Sequence, residues 1–322
     1  MRGTAISTGL VVMWSSGFIG AELGTRETTA DTLLMWRFLV ASALLGGAWL
    51  LLRRRRLPPR ALAEQALIGL LSQGVYLGGV VWAAGAGVPS GTSALIAALQ
   101  PLAAGALAGP LLGETVRGRQ WLGLGIGLAG VALVVGDDLS APAAAPLWAY
   151  ALPFAGMAGL LAASFLERRA RHPLAPADTL PLHCLTSALA FTVIAGAAGH
   201  AVPPGGGSFW MAVGWVVLLS TVGGYGFYWL SMRRNGVTRT SALIYLTPPT
   251  TAIWAYTMFG DALGLAAVAG MVLSVVGVLA ATVRVKGGPS VTAAVRAGTG
   301  AGTCMGPGSS TGAKEPQSEV VR

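Results

Sequence analysis

One basic side chain, Arg37, falls inside a long apolar stretch at residues 31–52. A charge surrounded by hydrocarbon is costly unless it is paired or hydrated, so this guanidinium marks a candidate site. It lies within two turns of the end of its stretch, where it can reach outward or pair with Glu22 or Asp31. We expect such an ion pair; the sharper alternative is that Arg37 binds a carboxylate of a small molecule.

Polar and aromatic side chains recur at helical spacing in other apolar stretches. Ser93 and Gln100, for example, are seven positions apart and share one face of a predicted helix. Such faces suit a pocket with apolar walls and a few polar anchors. The alternative is that these groups bond only between helices, or lie at the depth of the lipid headgroups. The candidates for a substrate path are Trp14, Arg37, Gln73, Tyr76, Ser93, Gln100, Pro101, Tyr225, Ser241, Tyr245, Pro248 and Pro249.

Catalytic and cofactor chemistry finds little support. Hydrolysis inside a membrane needs a nucleophile and a base at one depth, and Ser93 with His183 is the pair that could serve. The serine lacks the glycine that usually follows it, so we expect no catalytic residues. The sequence shows no paired His or Cys ligands, and its GxGxxG-like glycines at 125–130 lie in an apolar helix. We therefore expect no metal and no cofactor.

The elements that position these residues are membrane helices. The chain is 54% hydrophobic and 10% charged, with a mean hydropathy of +0.67, whereas soluble domains carry charge on about 25% of residues. A span needs ~20 apolar residues. Ten segments reach that length: 4–23, 31–52, 62–85, 90–111, 117–136, 146–167, 179–199, 209–232, 238–260 and 263–284.

Basic residues indicate the orientation. Arginines cluster after the second, fourth, sixth and eighth segments, and the loops after the third, fifth, seventh and ninth contain no Lys or Arg. The positive-inside rule then places both termini in the cytoplasm. The net charge of +9 is explained by these loops, so we expect no nucleic-acid partner. The first segment lacks a small-x-small cleavage site and is predicted to be a retained helix rather than a signal peptide. Residues 287–322 are polar and rich in Gly, Ser and Thr, which predicts a disordered cytoplasmic tail.

An internal repeat organises the ten segments. Thr92-Ser93-Ala94-Leu95-Ile96 recurs as residues 240–244, and a proline and a Gly-acid pair follow each copy. The register extends backward to earlier segments, so the repeat unit is five helices. An odd number of spans makes the two halves inverted. We expect a first repeat at 1–140 and a second at 141–286.

These features together resemble the drug/metabolite transporter superfamily, EamA-type. The resemblance rests on residues 93–101 (SALIAALQP), on Gly113-Glu114, on Trp14-Ser15-Ser16-Gly17-Phe18 and on Arg37-Phe38. It covers about residues 4–284, and the double proline Pro248-Pro249 departs from the first copy.

The resemblance implies a secondary transporter of small metabolites such as amino acids, working by alternating access in a bacterial cytoplasmic membrane and expected to export its substrate. The alternatives are a membrane-embedded hydrolase or a channel. No carboxylate falls at the middle of a predicted span, so the sequence does not indicate proton coupling, and it does not indicate an oligomeric state.

Overall fold

Helices make up the secondary structure of the protein. The computed structural model describes residues 2–52, 58–112, 118–141, 145–170, 174–261 and 264–282, and no strand occurs among them. In chain order the elements are α1 Arg2–Thr25, α2 Ala30–Leu52, α3 Pro59–Gly69, the π-helix π1 Leu70–Val75, α4 Tyr76–Gly85, α5 Ser90–Ala97, α6 Gln100–Leu112, α7 Gly118–Asp138, a 3₁₀ turn Leu147–Tyr150, α8 Ala151–Arg169, α9 Pro176–Ala197, α10 Gly207–Trp215, the π-helix π2 Val216–Gly224, α11 Tyr225–Ile244, α12 Thr247–Phe259 and α13 Leu265–Thr282.

Most of these helices, singly or joined end to end, form stretches that are long and apolar enough to cross a bilayer. Eight stretches of the described chain meet that criterion, and Leu265–Gly277 adds a shorter apolar helix. The all-helical membrane fold is therefore confirmed. The count of ten spans stays a prediction. The predicted tail at 287–322 lies outside the described residues.

The chain between the eighth and ninth predicted segments is helical, so the loop predicted there is wrong. Helix α11 continues through Arg233 and Arg234 as far as Ile244, and the break comes at Tyr245 and Leu246. The physical reason is the double proline that follows. Proline has no N–H to donate to the carbonyl four residues earlier, and its ring clashes with that turn. The break therefore lies just before Pro248.

Both copies of the repeated pentapeptide precede a break of this kind. Helix α5 ends at Ala97, Ala98 and Leu99 form a turn, and α6 begins at Gln100 beside Pro101. The Leu99 amide donates to the carbonyl three residues back, at Ile96, instead of four. In the second copy Leu246 donates in the same way to Leu243. The prolines of the two copies thus produce two interrupted helices at related positions.

Two π-helical segments form a second matched pair. Adding the repeat offset of 148 to π1, residues 70–75, gives 218–223, which falls within π2 at Val216–Gly224. π-helical turns are rare and are found frequently at functional sites, because the wider turn redirects side chains. We found no sequence pattern that predicts them.

The helices also pack in matched pairs. Helix α2 lies against α9, α5 against α12, and α7 against α13 along its length. The last pair is close because small residues line the contact. A Cβ on Gly130 would lie 2.6 Å from the Gly270 carbonyl oxygen, and one on Gly277 would lie 2.6 Å from that of Gly123. These glycines thus let the two helices approach closely.

Candidate substrate cavity

Two adjoining hollows lie among the helices. The larger hollow has an empty volume of about 1130 Å³, and the smaller hollow has one of about 460 Å³. Trp14, Tyr76 and Tyr225 line both, so the two spaces meet at these three aromatic rings. The larger cavity extends to Glu167 in the last turns of α8 and Thr179 at the start of α9, which are neighbours of the arginine-rich loops.

Arg37 lies on the wall of the smaller hollow. Its side chain is only 2% exposed, and its Nη2 donates to Ser220 Oγ and to Thr221 Oγ1, each at 3.3 Å. Both acceptors belong to π2, where Thr221 in turn donates to the Val216 carbonyl five residues back, at 3.0 Å. The π-turn therefore presents two hydroxyls to the guanidinium. Arg37 Nε has no hydrogen-bond partner among the described residues.

The predicted ion pair of Arg37 with Glu22 or Asp31 is wrong. Glu22 is held by Arg26, one turn later on the same helix, at 2.7 Å. Asp31 accepts from Trp82 Nε1 at 2.6 Å and lies 3.1 Å from His200 Nδ1. Both carboxylates are thus satisfied by nearer partners. Within the described chain, no carboxylate pairs with Arg37, and the buried cation keeps unused hydrogen-bonding capacity.

Gln73 places a hydrogen-bond acceptor on the wall of the adjoining larger hollow. It is 1% exposed on π1, and its Nε2 donates to Tyr225 Oη, at the first residue after π2. Its Oε1 has no partner among the described residues. Gln73, which lines the larger hollow, thus keeps a buried unused acceptor, and Arg37, which lines the other, keeps a buried unused donor. Tyr76 and Tyr225 line both hollows.

Aromatic rings form the apolar part of the wall. The ring of Trp14 lies 5.8 Å from that of Tyr225 and 5.5 Å from that of Tyr228, measured between centroids. Trp229 lines the same cavity. Tilted ring pairs at such separations are favourable contacts, so these side chains support one another's positions.

Gln100 also lines the larger cavity. Its Nε2 donates to Ser164 Oγ of α8 at 3.2 Å, and both residues line the space. The amide follows directly on the break between α5 and α6, so the interrupted helix places it at the wall. Six of the twelve predicted residues thus line the two hollows: Trp14, Arg37, Gln73, Tyr76, Gln100 and Tyr225.

The structure does not bring the other predicted residues to these hollows. Tyr245, Pro248 and Pro249 line a separate apolar pocket of about 270 Å³. Ser93 is buried with no partner for its hydroxyl among the described residues, and Pro101 is half-buried. Neither is among the lining residues of the cavities described above. The side chain of Ser241 lies outside the described residues.

Several cavity residues were not among the predicted site residues, including three that carry groups which can exchange protons or form hydrogen bonds. Glu167, Ser164 and His183 line the larger cavity. Glu167 directly precedes Arg168 and Arg169, so the sequence analysis placed it at the end of a predicted helix. His183 was considered as a possible base for Ser93. The sequence around these residues does not show which helices pack against them. Knowledge of that packing could have identified them as cavity residues.

The end of the molecule away from the arginine-rich loops is closed by contacts between the two halves of the chain. Thr32 Oγ1 donates to the His200 carbonyl at 2.7 Å, and Ser208 Oγ donates to Glu27 Oε2 at 2.6 Å. The Arg26 guanidinium lies 4.2 Å above the centre of the Phe259 ring. Asp261 follows α12 at this end, where burial, followed by the charge of Glu22, raises its pKa to about 6, while Arg26 acts to lower it.

The fold is that of a helical membrane protein with a large cavity lined by polar and aromatic side chains. Comparison with known proteins places it more narrowly. The profile of the EamA-like transporter family matches residues 1–136 and again 147–283. The chain therefore belongs to the EamA-like transporter family, within the drug/metabolite transporter superfamily.

Individual relatives agree with this assignment. The inner membrane transporter YedA of Escherichia coli, from strain K12 and from strains O6:H1 and O157:H7, is 38% identical over 133 residues, which is 41% of this chain and 43% of each relative. The match spans less than half the length of those relatives. A solved crystal structure shares the fold with a TM-score of 0.58 at 22% identity, covering 88% of this chain and 98% of its own. The protein is a multi-pass inner membrane protein.

Proposed function

We propose that this protein is a secondary transporter that carries small amphipathic metabolites, such as amino acids, out of the cell by alternating access. The observation that carries the proposal is Arg37: a buried cation, without a carboxylate partner in the described chain, on the wall of a cavity. A buried charge is costly unless something pairs with it. A substrate carboxylate is the partner that would do so.

The rest of the cavity suits a zwitterion. The free Oε1 of Gln73 is an acceptor for an ammonium group, and the rings of Trp14, Tyr225 and Tyr228 offer an apolar face for a side chain. A ligand of this kind is held mainly by apolar walls and oriented by a few polar groups. The amino-acid assignment rests on this complementarity and on the family resemblance.

Two inverted five-helix repeats, at 1–140 and 141–286, are the architecture we propose for alternating access. The two matches of the family profile, the related helix breaks and the related π segments support it. Substrate sites of such transporters lie between the repeats, beside interrupted helices. The contacts at the closed end would separate when the cavity opens to the outside.

Transport by purified protein in liposomes tests the proposal. Liposomes loaded with a mixture of unlabelled L-amino acids should accumulate the labelled mixture by exchange, and Arg37→Met should abolish this exchange. Arg37→Lys keeps the charge without the planar donor fork and should retain only part of it. Absence of exchange with the unaltered protein, across labelled amino acids and a broad metabolite panel, would refute the proposed function.

The alternative functions predict other results. A hydrolase acting through Ser93 should react covalently with a fluorophosphonate, although His183 lines the larger cavity and Ser93 does not. A channel should pass current far above the turnover of a carrier. Neither alternative gives a role to the unpaired cation at Arg37.

A further inference from the structure

A set of three hydrogen-bonded side chains lies apart from Arg37 on the wall of the larger cavity. His183 Nε2 lies 3.0 Å from Gln65 Oε1, and Gln65 Nε2 donates to Glu167 Oε2 at 3.3 Å. The three residues belong to α9, α3 and α8, so the amide of Gln65 joins two titratable side chains of two other helices. Gln65 itself is 0% exposed.

The chemistry of the three groups determines which atoms carry protons. An ionised carboxylate only accepts hydrogen bonds, so the NH₂ group of Gln65 must face Glu167. Its carbonyl oxygen then faces His183, and Nε2 of the imidazole must carry the hydrogen. Nδ1 of the neutral ring is left without a hydrogen, as a base.

His183 and Glu167 both line the cavity, while the buried Gln65 is not among its lining residues. Glu167 is exposed at the cavity mouth. Water that fills the cavity would therefore reach both titratable groups. A proton has a direct route from that water to the ring.

We propose that His183 and Glu167, joined by Gln65, form the proton-binding site that couples transport to a proton gradient. A proton from cavity water binds to Nδ1, and Nε2 goes on donating to Gln65. The Glu167 carboxylate on the other side of the amide balances the new charge. The proton binds while the cavity faces the outside and leaves to the cytoplasmic water when the cavity faces inward, so that proton entry drives substrate export. This inference rests on the proposed transport function and supplies its source of energy.

The other titratable groups around His183 do not fit this role. Helices α2, α3 and π1 pack against α9, and together with α9 they carry Asp31, Arg37, Arg60, Glu64, Asp178 and Cys184. The three carboxylates of this set do not line the larger cavity. Asp31 is held by Trp82 and His200, and Asp178 accepts from Trp49 Nε1 at 2.9 Å. Arginine keeps its proton at any physiological pH.

The competing explanation is that the three side chains only fasten α3, α8 and α9 together. Glu167→Gln separates the two, because the glutamine oxygen still accepts from Gln65 while the negative charge that balances the bound proton is lost. His183→Gln likewise keeps a donor for Gln65 without a titratable ring. Glu64→Gln is the matched control, since it removes a carboxylate next to Gln65 in the chain that does not line the cavity.

Two measurements on proteoliposomes decide the question. With labelled L-amino acids, exchange without a gradient reports binding and movement, while accumulation driven by an imposed pH gradient reports coupling. We expect Glu167→Gln and His183→Gln to retain exchange and to lose gradient-driven accumulation, and Glu64→Gln to retain both. Unchanged accumulation in Glu167→Gln and His183→Gln, or no accumulation by the unaltered protein despite exchange, overturns the coupling site. Absence of exchange by the unaltered protein refutes the transport function itself, and the coupling site with it.

Discussion

Replacing Arg37 by methionine should make the ligand-free protein more stable while abolishing ligand binding. Removing a guanidinium from a span is favourable by up to about 2.5–3.5 kcal/mol, the value at the span centre. Against this, two long hydrogen bonds of 3.3 Å are lost, at about 1 kcal/mol each. The difference, about 1 kcal/mol of stabilisation, corresponds to a rise in Tm of about 2–4 °C for a chain of this size.

Thermal unfolding in detergent, with and without an amino-acid mixture, measures both effects. A ligand at a hundredfold excess over its Kd stabilises the unaltered protein by about 2.7 kcal/mol, and Arg37→Met should show no such gain. The matched control is Arg26→Met, which removes an exposed, already paired cation and should change stability by less than about 1 kcal/mol. A fall of several degrees in the Tm of ligand-free Arg37→Met would show that the cation is a structural group. Retention of ligand stabilisation by this variant would refute the carboxylate site.

Three further perturbations test other parts of the structure. Gly130→Ala places a methyl group 2.6 Å from a carbonyl oxygen of α13 and should cost about 1–3 kcal/mol, whereas Gly125→Ala meets open space and should not destabilise, as thermal unfolding will show. Tyr225→Phe leaves the buried amide nitrogen of Gln73 without its acceptor, which should cost about 1–3 kcal/mol and weaken ligand stabilisation. Burial raises the pKa of Asp261 from its ordinary 3.8 to about 6, so its effect on stability is fully favourable below about pH 4 and is lost as the pH rises through 6. Asp261→Asn should therefore raise the Tm more at pH 7 than at pH 4.

Each of these expectations has a contrary result. Equal stability of Gly130→Ala and Gly125→Ala would mean that α7 and α13 are not in close contact. A Tyr225→Phe protein with unchanged stability and ligand response would remove Gln73 and its partner from the site. The same Tm difference for Asp261→Asn at both pH values would show that the carboxyl group is not desolvated in the folded protein.

Some features of the fold have a strong local signal in the sequence. Prolines act on the turn that precedes them, so the helix breaks before Pro101 and Pro248 follow from the sequence alone. The close contact of α7 and α13 agrees with glycines seven residues apart on each helix, because that spacing places them on one helix face. Half of the predicted site residues line the two hollows, chiefly those on the faces of the first, second, third and eighth predicted segments.

The errors concern partners that are distant in the sequence. Arg37 was expected to pair with the nearest carboxylates, but it bonds to Ser220 and Thr221, more than 180 positions away. Gln65, Glu167 and His183 come from three helices, and no spacing in the sequence brings them together. The loop expected near Arg233 was inferred from charge, while the backbone stays helical there until the prolines interrupt it.

By itself the sequence determined that this is a membrane protein, which segments are apolar enough to enter the bilayer and where helices must break. These properties depend on local composition and on backbone geometry within a few residues. Only the tertiary structure decided which polar groups meet. Among the described residues, a buried guanidinium without a carboxylate partner, an unbonded amide oxygen in the adjoining hollow and a histidine joined to a glutamate exist only because helices from both halves of the chain pack against one another. That packing depends on side-chain fit across the whole chain and not on spacing along it.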